Sequence, residues 1–251
     1  MCACSAVQVE GLTKSFGEVS ALRGVSFTVA EGEVFGYLGP NGSGKTTTVR
    51  IISTLIRPTS GTARVFGLDV QADSLKVRGC IGLVQQAPSF EPYLTVLKNV
   101  SLYAYLCGMS RDEARSAAEA MIDKFGLAAH ADRKATDLSI GLKRRMQIAR
   151  ELVRRPRLLL LDEPTVGLDP EAKRLTLDLV RDMARQGMTV LFTTHNMSEA
   201  EYLCDRVAII DKGKVVVTAT PRELLQMSGT TNLEDAYLTL IRRNRDNGDV
   251  R

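Results

Sequence analysis

The chain has no tryptophan, and phenylalanine and tyrosine together reach only 5% of its residues. Nucleic-acid surfaces combine basic patches with stacking aromatics. That scarcity, beside a formal net charge of only +4, means that no nucleic-acid partner is expected, even though "KRR" (143–145), "VRRPR" (153–157) and "IRRNR" (241–245) are basic clusters. Long apolar runs are missing too. "LLLL" at 158–161 and "VAII" at 207–210 fall far below the roughly 18 residues a membrane helix requires. No segment is expected to cross a bilayer. The opening "MCACSAVQVEG" lacks the basic stretch and apolar core of a signal peptide, so the expected compartment is the cytoplasm. The five cysteines, at 2, 4, 80, 107 and 204, are odd in number and scattered, which argues against a disulfide framework and for free thiols.

What is present is ordinary globular material, 44% hydrophobic and 25% charged over 251 residues, enough for one large domain or two lobes. Short β-branched runs, "VQVEGL", "GVSFTV" and "EVFGYLG" between residues 7 and 37, read as strands, the last one buried on both faces. "GTARVFG", "CIGLVQ", "RLLLLDEP", "MTVLFTTH" and "RVAIIDKGKVVVT" are further strand candidates, with "DKGK" as a hairpin turn. Between about 95 and 155 only helices are signalled. "SRDEARSAAEAMIDKFG" opens on a Ser N-cap, carries acids in its first turn and stops at Gly126. The pattern predicts an α/β fold with a β-rich edge near 7–38 and a helical lobe over 87–155 inserted in a core of 7–86 and 156–220. The apolar-poor ending, 241–251, is expected to be disordered.

The chemistry begins at "GPNGSGKTT", residues 39–47, which fits G-x-x-x-x-G-K-[ST] between an apolar strand and a helix. Gly39, Pro40, Asn41, Gly42, Ser43 and Gly44 form a loop whose backbone amides converge on phosphate oxygens. Lys45 reaches the terminal phosphates, Thr46 offers a hydroxyl to Mg²⁺, and Thr47 continues the helix start. "RLLLLDEP" ends an apolar strand in two acids, Asp162 for the Mg²⁺ shell and Glu163 to polarise an attacking water. His195 ends the next strand, where ligands of open α/β sheets bind, and is placed to hold the γ-phosphate and that water. His130 has no such context and is expected at the surface. Gln85 and Gln86 both follow a strand end, and either amide can reach Mg²⁺ or the water. The apolar loop "APSFEPYLTV" after them either folds onto its own lobe or meets a partner.

One stretch resists this reading. "DLSIGLKRRMQIAR", 137–150, places Ser139 and Gly141 at the start of a helix, where amide groups lack partners and glycine weakens the helix.

Taken together, the phosphate loop, the Gln86 loop, "LSIGL" (138–142), "LLLLDEPTVGLDP" (158–170) and His195 resemble, in order and spacing, the ATP-binding-cassette (ABC) ATPase subunits. The likeness covers about residues 7–240. It implies a P-loop NTPase fold with a RecA-like core, an antiparallel β subdomain and an inserted α-helical subdomain, binding ATP and Mg²⁺. It selects Gln86 over Gln85. It also implies that Ser139 and Gly141 close over the γ-phosphate held by a second ATPase chain, identical or different, that Asp169 lies at that seam, and that Phe16 stacks on adenine. The family pattern is usually Leu-Ser-Gly-Gly-Gln, from which Ile140 and Leu142 depart.

"LKRRMQIARELVRRPRLLLLDEPTVGLDP" and "NLEDAYLTL" are similar to drug- and lipid-exporter ATPases of the daunorubicin-resistance kind. That implies a separate integral membrane permease, with this chain on the cytoplasmic face. Non-transport relatives that act on DNA or ribosomes are the alternative, as is a regulatory module that holds nucleotide and barely turns it over.

Overall fold

The computed structural model describes residues 5–248. Strands β1 (Ser5–Phe16) and β2 (Val19–Ala30) form a long antiparallel hairpin, followed by the fully buried β3 (Val34–Leu38) and α1 (Lys45–Ile52). β4 (Ser60–Val65), β5 (Leu68–Asp69), α2 (Ser74–Cys80) and β6 (Ile81–Val84) come next, then helices α3 (Val96–Leu106), α4 (Arg111–Lys124) and α5 (Ile140–Leu152). The chain finishes with β7 (Leu158–Asp162), α6 (Pro170–Arg185), β8 (Thr189–Thr194), α7 (Met197–Leu203), β9 (Arg206–Asp211), β10 (Lys214–Ala219), α8 (Pro221–Ser228) and α9 (Leu233–Gly248).

Two sheets result. A four-stranded antiparallel sheet runs β2-β1-β4-β5, and a six-stranded sheet runs β10-β9-β3-β8-β7-β6, parallel except for β10 at its edge. The β-rich edge expected over 7–38 is therefore redrawn. β3 belongs to the central sheet, because a strand buried on both faces suits a parallel layer covered on either side, and residues 60–69 complete the antiparallel sheet instead.

The central sheet separates two hydrophobic clusters, and alternate residues of each strand feed one or the other. Leu159, Leu161, Val190, Phe192, Val207 and Ile209 join the cluster that includes α3 to α7 and α9. Leu158, Leu160, Leu191, Ala208 and Ile210 join the cluster under the antiparallel sheet with α1. This is the period-two reading of a strand with both faces covered. The helical insert shares its core with the sheet, so its position relative to the strand ends is set by packing. α4 starts as the sequence suggests, with a reciprocal capping box between Ser110 and Glu113, and Gly126 follows its end at φ 62°.

The expectation of a disordered ending does not hold through residue 248. α9 runs to Gly248 because Leu233, Ala236, Leu240 and Ile241 form a buried stripe at helical spacing. Arg243 Nη1 donates to the Met227 carbonyl at 2.9 Å and Arg245 pairs with the buried Asp211 at 3.1 Å. The charges that suggested disorder are the exposed face of a docked helix. Residues 249–251 lie outside the described residues, as do Cys2 and Cys4. Cys80, Cys107 and Cys204 are free thiols.

Candidate functional site

The loop from β3 to α1 is forced to be glycine-rich by its neighbours. A Cβ on Gly39 would stand 2.3 Å from the Ile210 carbonyl oxygen. One on Gly44, at φ 112°, would stand 2.6 Å from Leu22 Cδ2 and 2.9 Å from the Ala21 carbonyl. Gly44 is also the N-cap of α1 and supplies no side-chain cap, so the first-turn amides are left for an anion, where the helix dipole favours one. The Ser43 hydroxyl is buried without a hydrogen-bond partner, an orphaned polar group of the kind a bound phosphate satisfies.

Lys45 is almost fully buried. Its ammonium donates to the carbonyls of Gly39 at 2.8 Å and Pro40 at 3.1 Å and lies 3.1 Å from Glu163 Oε1. β7 delivers the two acids. Asp162 Oδ1 accepts from Thr193 Oγ1 at 2.7 Å and from Thr46 Oγ1 at 3.3 Å. Glu163, just past the strand end, sits at φ 48°, a left-handed conformation that costs about 1–3 kcal/mol and persists only where surroundings over-determine it. Thr193 supplies part of that, since the Glu163 amide donates to Thr193 Oγ1 at 3.0 Å. His195, at the end of β8, brings Nδ1 to 3.4 Å from Glu163 Oε2, with 48% of its side chain exposed. Glu163 thus lies between an ammonium and an imidazole.

Lys45, Thr46 and Glu163 border a cleft of about 430 Å³ that Phe16, Asn41, Thr47 and Gln86 also line. The backbone carbonyls of both Gln85 and Gln86 are turned to α5. Phe16 is half exposed at the rim, with Lys14 Nζ 5.0 Å from its ring centroid. His130 lies in a single helical turn well apart from these strand ends, half-buried beside Arg133.

Ser139, Gly141 and Asp169, which the resemblance assigns to a seam with a second chain, lie outside this chain's own cleft. Ser139 caps α5, its Oγ accepting from the Leu142 amide at 3.3 Å, and Asp169 caps α6, its Oδ1 accepting from the Ala172 amide at 2.8 Å. Gly141 lies between these helix starts, where an added Cβ would be 2.7 Å from Ala172 Cβ. Within this chain its smallness lets α5 press against α6. Ile140 beside it is 59% exposed.

Sequence reasoning missed the groups that hold the site from behind. Arg144, one turn into α5 and buried, donates to the carbonyls of Gln85 at 2.8 Å and Gln86 at 3.3 Å. Burial pushes its guanidinium pKa down, partly opposed by Asp162. Gln147, one turn further, donates to the Ala87 carbonyl at 3.4 Å. The spacing of Arg144 and Gln147 on one helix face was the available signal. The Thr-Thr pair before His195 was the other.

A glycine-rich loop between strand and helix, with an acidic strand end two strands away and a histidine on the strand between, defines a P-loop nucleotide-binding protein. A family model described as ABC transporter matches residues 22–166. The chain is 42% identical over 228 residues to the daunorubicin/doxorubicin resistance ATP-binding protein DrrA of Streptomyces peucetius, covering 91% of this chain and 69% of that one. It is 36% identical over 244 residues to the linearmycin resistance ATP-binding protein LnrL of Bacillus subtilis (strain 168), covering 94% and 78%. Among solved structures, the ATP-binding cassette MJ0796, a dimer in a post-hydrolysis state with ADP and Pi, superposes with a TM-score of 0.76 at 31% identity over 85% of this chain and 98% of that one. The chain belongs to the ABC transporter family, as an ATP-binding ATPase subunit.

Proposed function

We propose that residues 7–240 act as one ATPase domain that powers export of a small molecule, drug or lipid, through a separate integral membrane permease, working from the cytoplasmic face of the membrane. The observation that carries the catalytic part is the position of Glu163, held between Lys45 and His195 at the edge of the phosphate cleft. The export part rests on the resistance functions named for DrrA and LnrL. The separate permease is supported by the described residues, where no helix is long and apolar enough to cross a membrane.

In this reading the amides of residues 41–47 and the Lys45 ammonium take the β- and γ-phosphates, and Phe16 stacks on the adenine. Mg²⁺ suits the oxygen donors Thr46 Oγ1, Asp162 Oδ1 and the Gln86 amide, which are hard ligands. When bound it offsets phosphate charge. Glu163 polarises the attacking water, and His195 holds that water and the γ-phosphate. Ser139 and Gly141 of a second copy cover the γ-phosphate from the other side, with Asp169 at the seam. The partly apolar groove beside the Gln86 loop, about 310 Å³ and lined by Phe90, Leu102, Tyr103, Leu106 and Arg150 among others, takes the permease.

The test is the mass of purified Glu163→Gln protein by light scattering with and without MgATP. The expected result is a monomer that becomes a dimer only with MgATP and turns nothing over. A protein that binds ATP yet stays monomeric would exclude closure by two identical chains and direct the search to a different ATPase partner.

A further inference from the structure

We infer that Glu199, which touches neither the phosphate loop nor the cleft, is a positioning residue for hydrolysis, fixing the Glu163 segment and the His195 strand end against one another. The inference rests on the ATPase reading above.

Glu199 stands in the first turn of α7, whose N-cap Asn196 accepts from the amides of Ser198 and Glu199. Its carboxylate is only 4% exposed and is held by three donors. Oε2 accepts from Thr165 Oγ1 at 2.7 Å and Thr194 Oγ1 at 2.8 Å, and Oε1 pairs with Lys173 Nζ at 2.9 Å. Each donor belongs to a different segment. Thr165 lies two residues past Glu163, Thr194 immediately precedes His195, and Lys173 is one turn from Asp169, the cap of α6.

A buried ion pair is weak evidence for stability, since well-packed apolar side chains in its place are often as good. What a carboxylate does here that neither an apolar group nor an amide does is accept two hydroxyl bonds on one oxygen while the other oxygen pairs with an ammonium, and so fix the spacing of three segments. That spacing matters because Glu163 is held at a left-handed φ and its oxygen lies 3.4 Å from His195. Successive strand residues point to opposite faces, and β8 uses both. Thr193 secures Asp162 and the Glu163 amide on one side, and Thr194 reaches Glu199 on the other. Through Lys173 the same carboxylate ties in α6, so a displacement of α6 reaches both Glu163 and His195.

The test uses the purified full chain as wild type, Glu199→Gln, Thr194→Val and Thr194→Ser. MgATP turnover is measured together with the ring Cε1–Hε1 NMR signals of the two histidines, which the sequence limits to His130 and His195. In Glu199→Gln and Thr194→Val, kcat is expected to fall roughly 10- to 100-fold, the scale of a misplaced reacting group, with KM for ATP changed by less than about twofold. The His195 signal shifts and His130 stays. Thr194→Ser, which restores the hydroxyl, recovers the turnover lost in Thr194→Val.

Unchanged kcat in both Glu199→Gln and Thr194→Val overturns the proposal. So does a loss of kcat that accompanies a fallen melting temperature while the His195 signal stays in place. If Glu199→Gln does not fold, Thr194→Val and its Thr194→Ser rescue decide the matter. A wild-type chain without turnover would count against the ATPase reading, and the shift or constancy of the His195 signal would still decide the positioning role.

Discussion

The phosphate cleft and the seam at the starts of α5 and α6 are built in opposite ways. At the cleft, polar groups find partners across the chain. Lys45 reaches its own loop and Glu163, Asp162 takes hydroxyls from α1 and β8, and Glu163 lies against His195. At the seam, Ser139 and Asp169 satisfy only their own helices, and the apolar Ile140 faces solvent. A site preassembled on one sheet has its catalytic geometry fixed by that sheet. A surface that satisfies only its local caps needs a second molecule to acquire a further role.

This difference can be broken from either side. The largest effect is expected from Lys45→Ala, which removes the buried ammonium of the phosphate loop and leaves Glu163 buried without that cation. Loss of a buried partner costs about 3–5 kcal/mol, and nucleotide binding by calorimetry should disappear. Retained affinity would detach Lys45 from the phosphates.

Gly141→Val comes next. A side chain aimed at Ala172, where even a Cβ would approach to 2.7 Å, must push α5 from α6, so ATP-dependent dimerisation should be lost while ATP binding by the monomer survives. Loss of both would show that the seam and the cleft are not separable.

Ile140→Gly sharpens the comparison. Removing the β-branched side chain from the seam should tighten the MgATP-dependent dimer seen by light scattering and leave monomer affinity for ATP unchanged. A weaker dimer would mean that Ile140 is itself a contact.

Ser139→Ala has the smallest effect on the fold, about 1 kcal/mol for a lost N-cap, measurable as a lower denaturation midpoint. If the hydroxyl acts only as a cap, turnover is untouched. If it also serves the partner's phosphate, turnover falls far more than stability does.

Much of the cleft was legible because its parts are local. A phosphate loop is nine consecutive residues, and an apolar run ending in Asp-Glu announces both a buried strand and its chemistry. Strand identity was equally plain, since both faces of β3, β7 and β8 are buried and each holds a short apolar run, as at residues 158–161 and 190–192. The ending was misread because composition was weighed there instead of spacing. Leu233, Ala236, Leu240 and Ile241 already carry the helical period, and the basic residues after them lie on its outer face or pair with Asp211.

Other features were beyond the sequence. That β3 joins the central sheet while β1 and β2 turn away with β4 depends on which strands find cover on both faces. That Arg144 holds the backbone of the Gln86 loop depends on α5 crossing behind β6, with some 58 residues between the partners.

By itself, then, the sequence determined the phosphate cradle, the acidic strand end and the alternation of strands and helices, because loop geometry and side-chain periodicity are encoded by near neighbours. Only the tertiary structure decided that Glu163 sits between Lys45 and His195, that Thr193 takes its amide, and that Glu199 gathers Thr165, Thr194 and Lys173 of α6 on one carboxylate. Hydrogen bonds and ion pairs act over about 3 Å, and residues remote in sequence come within that distance only where packing brings their elements together.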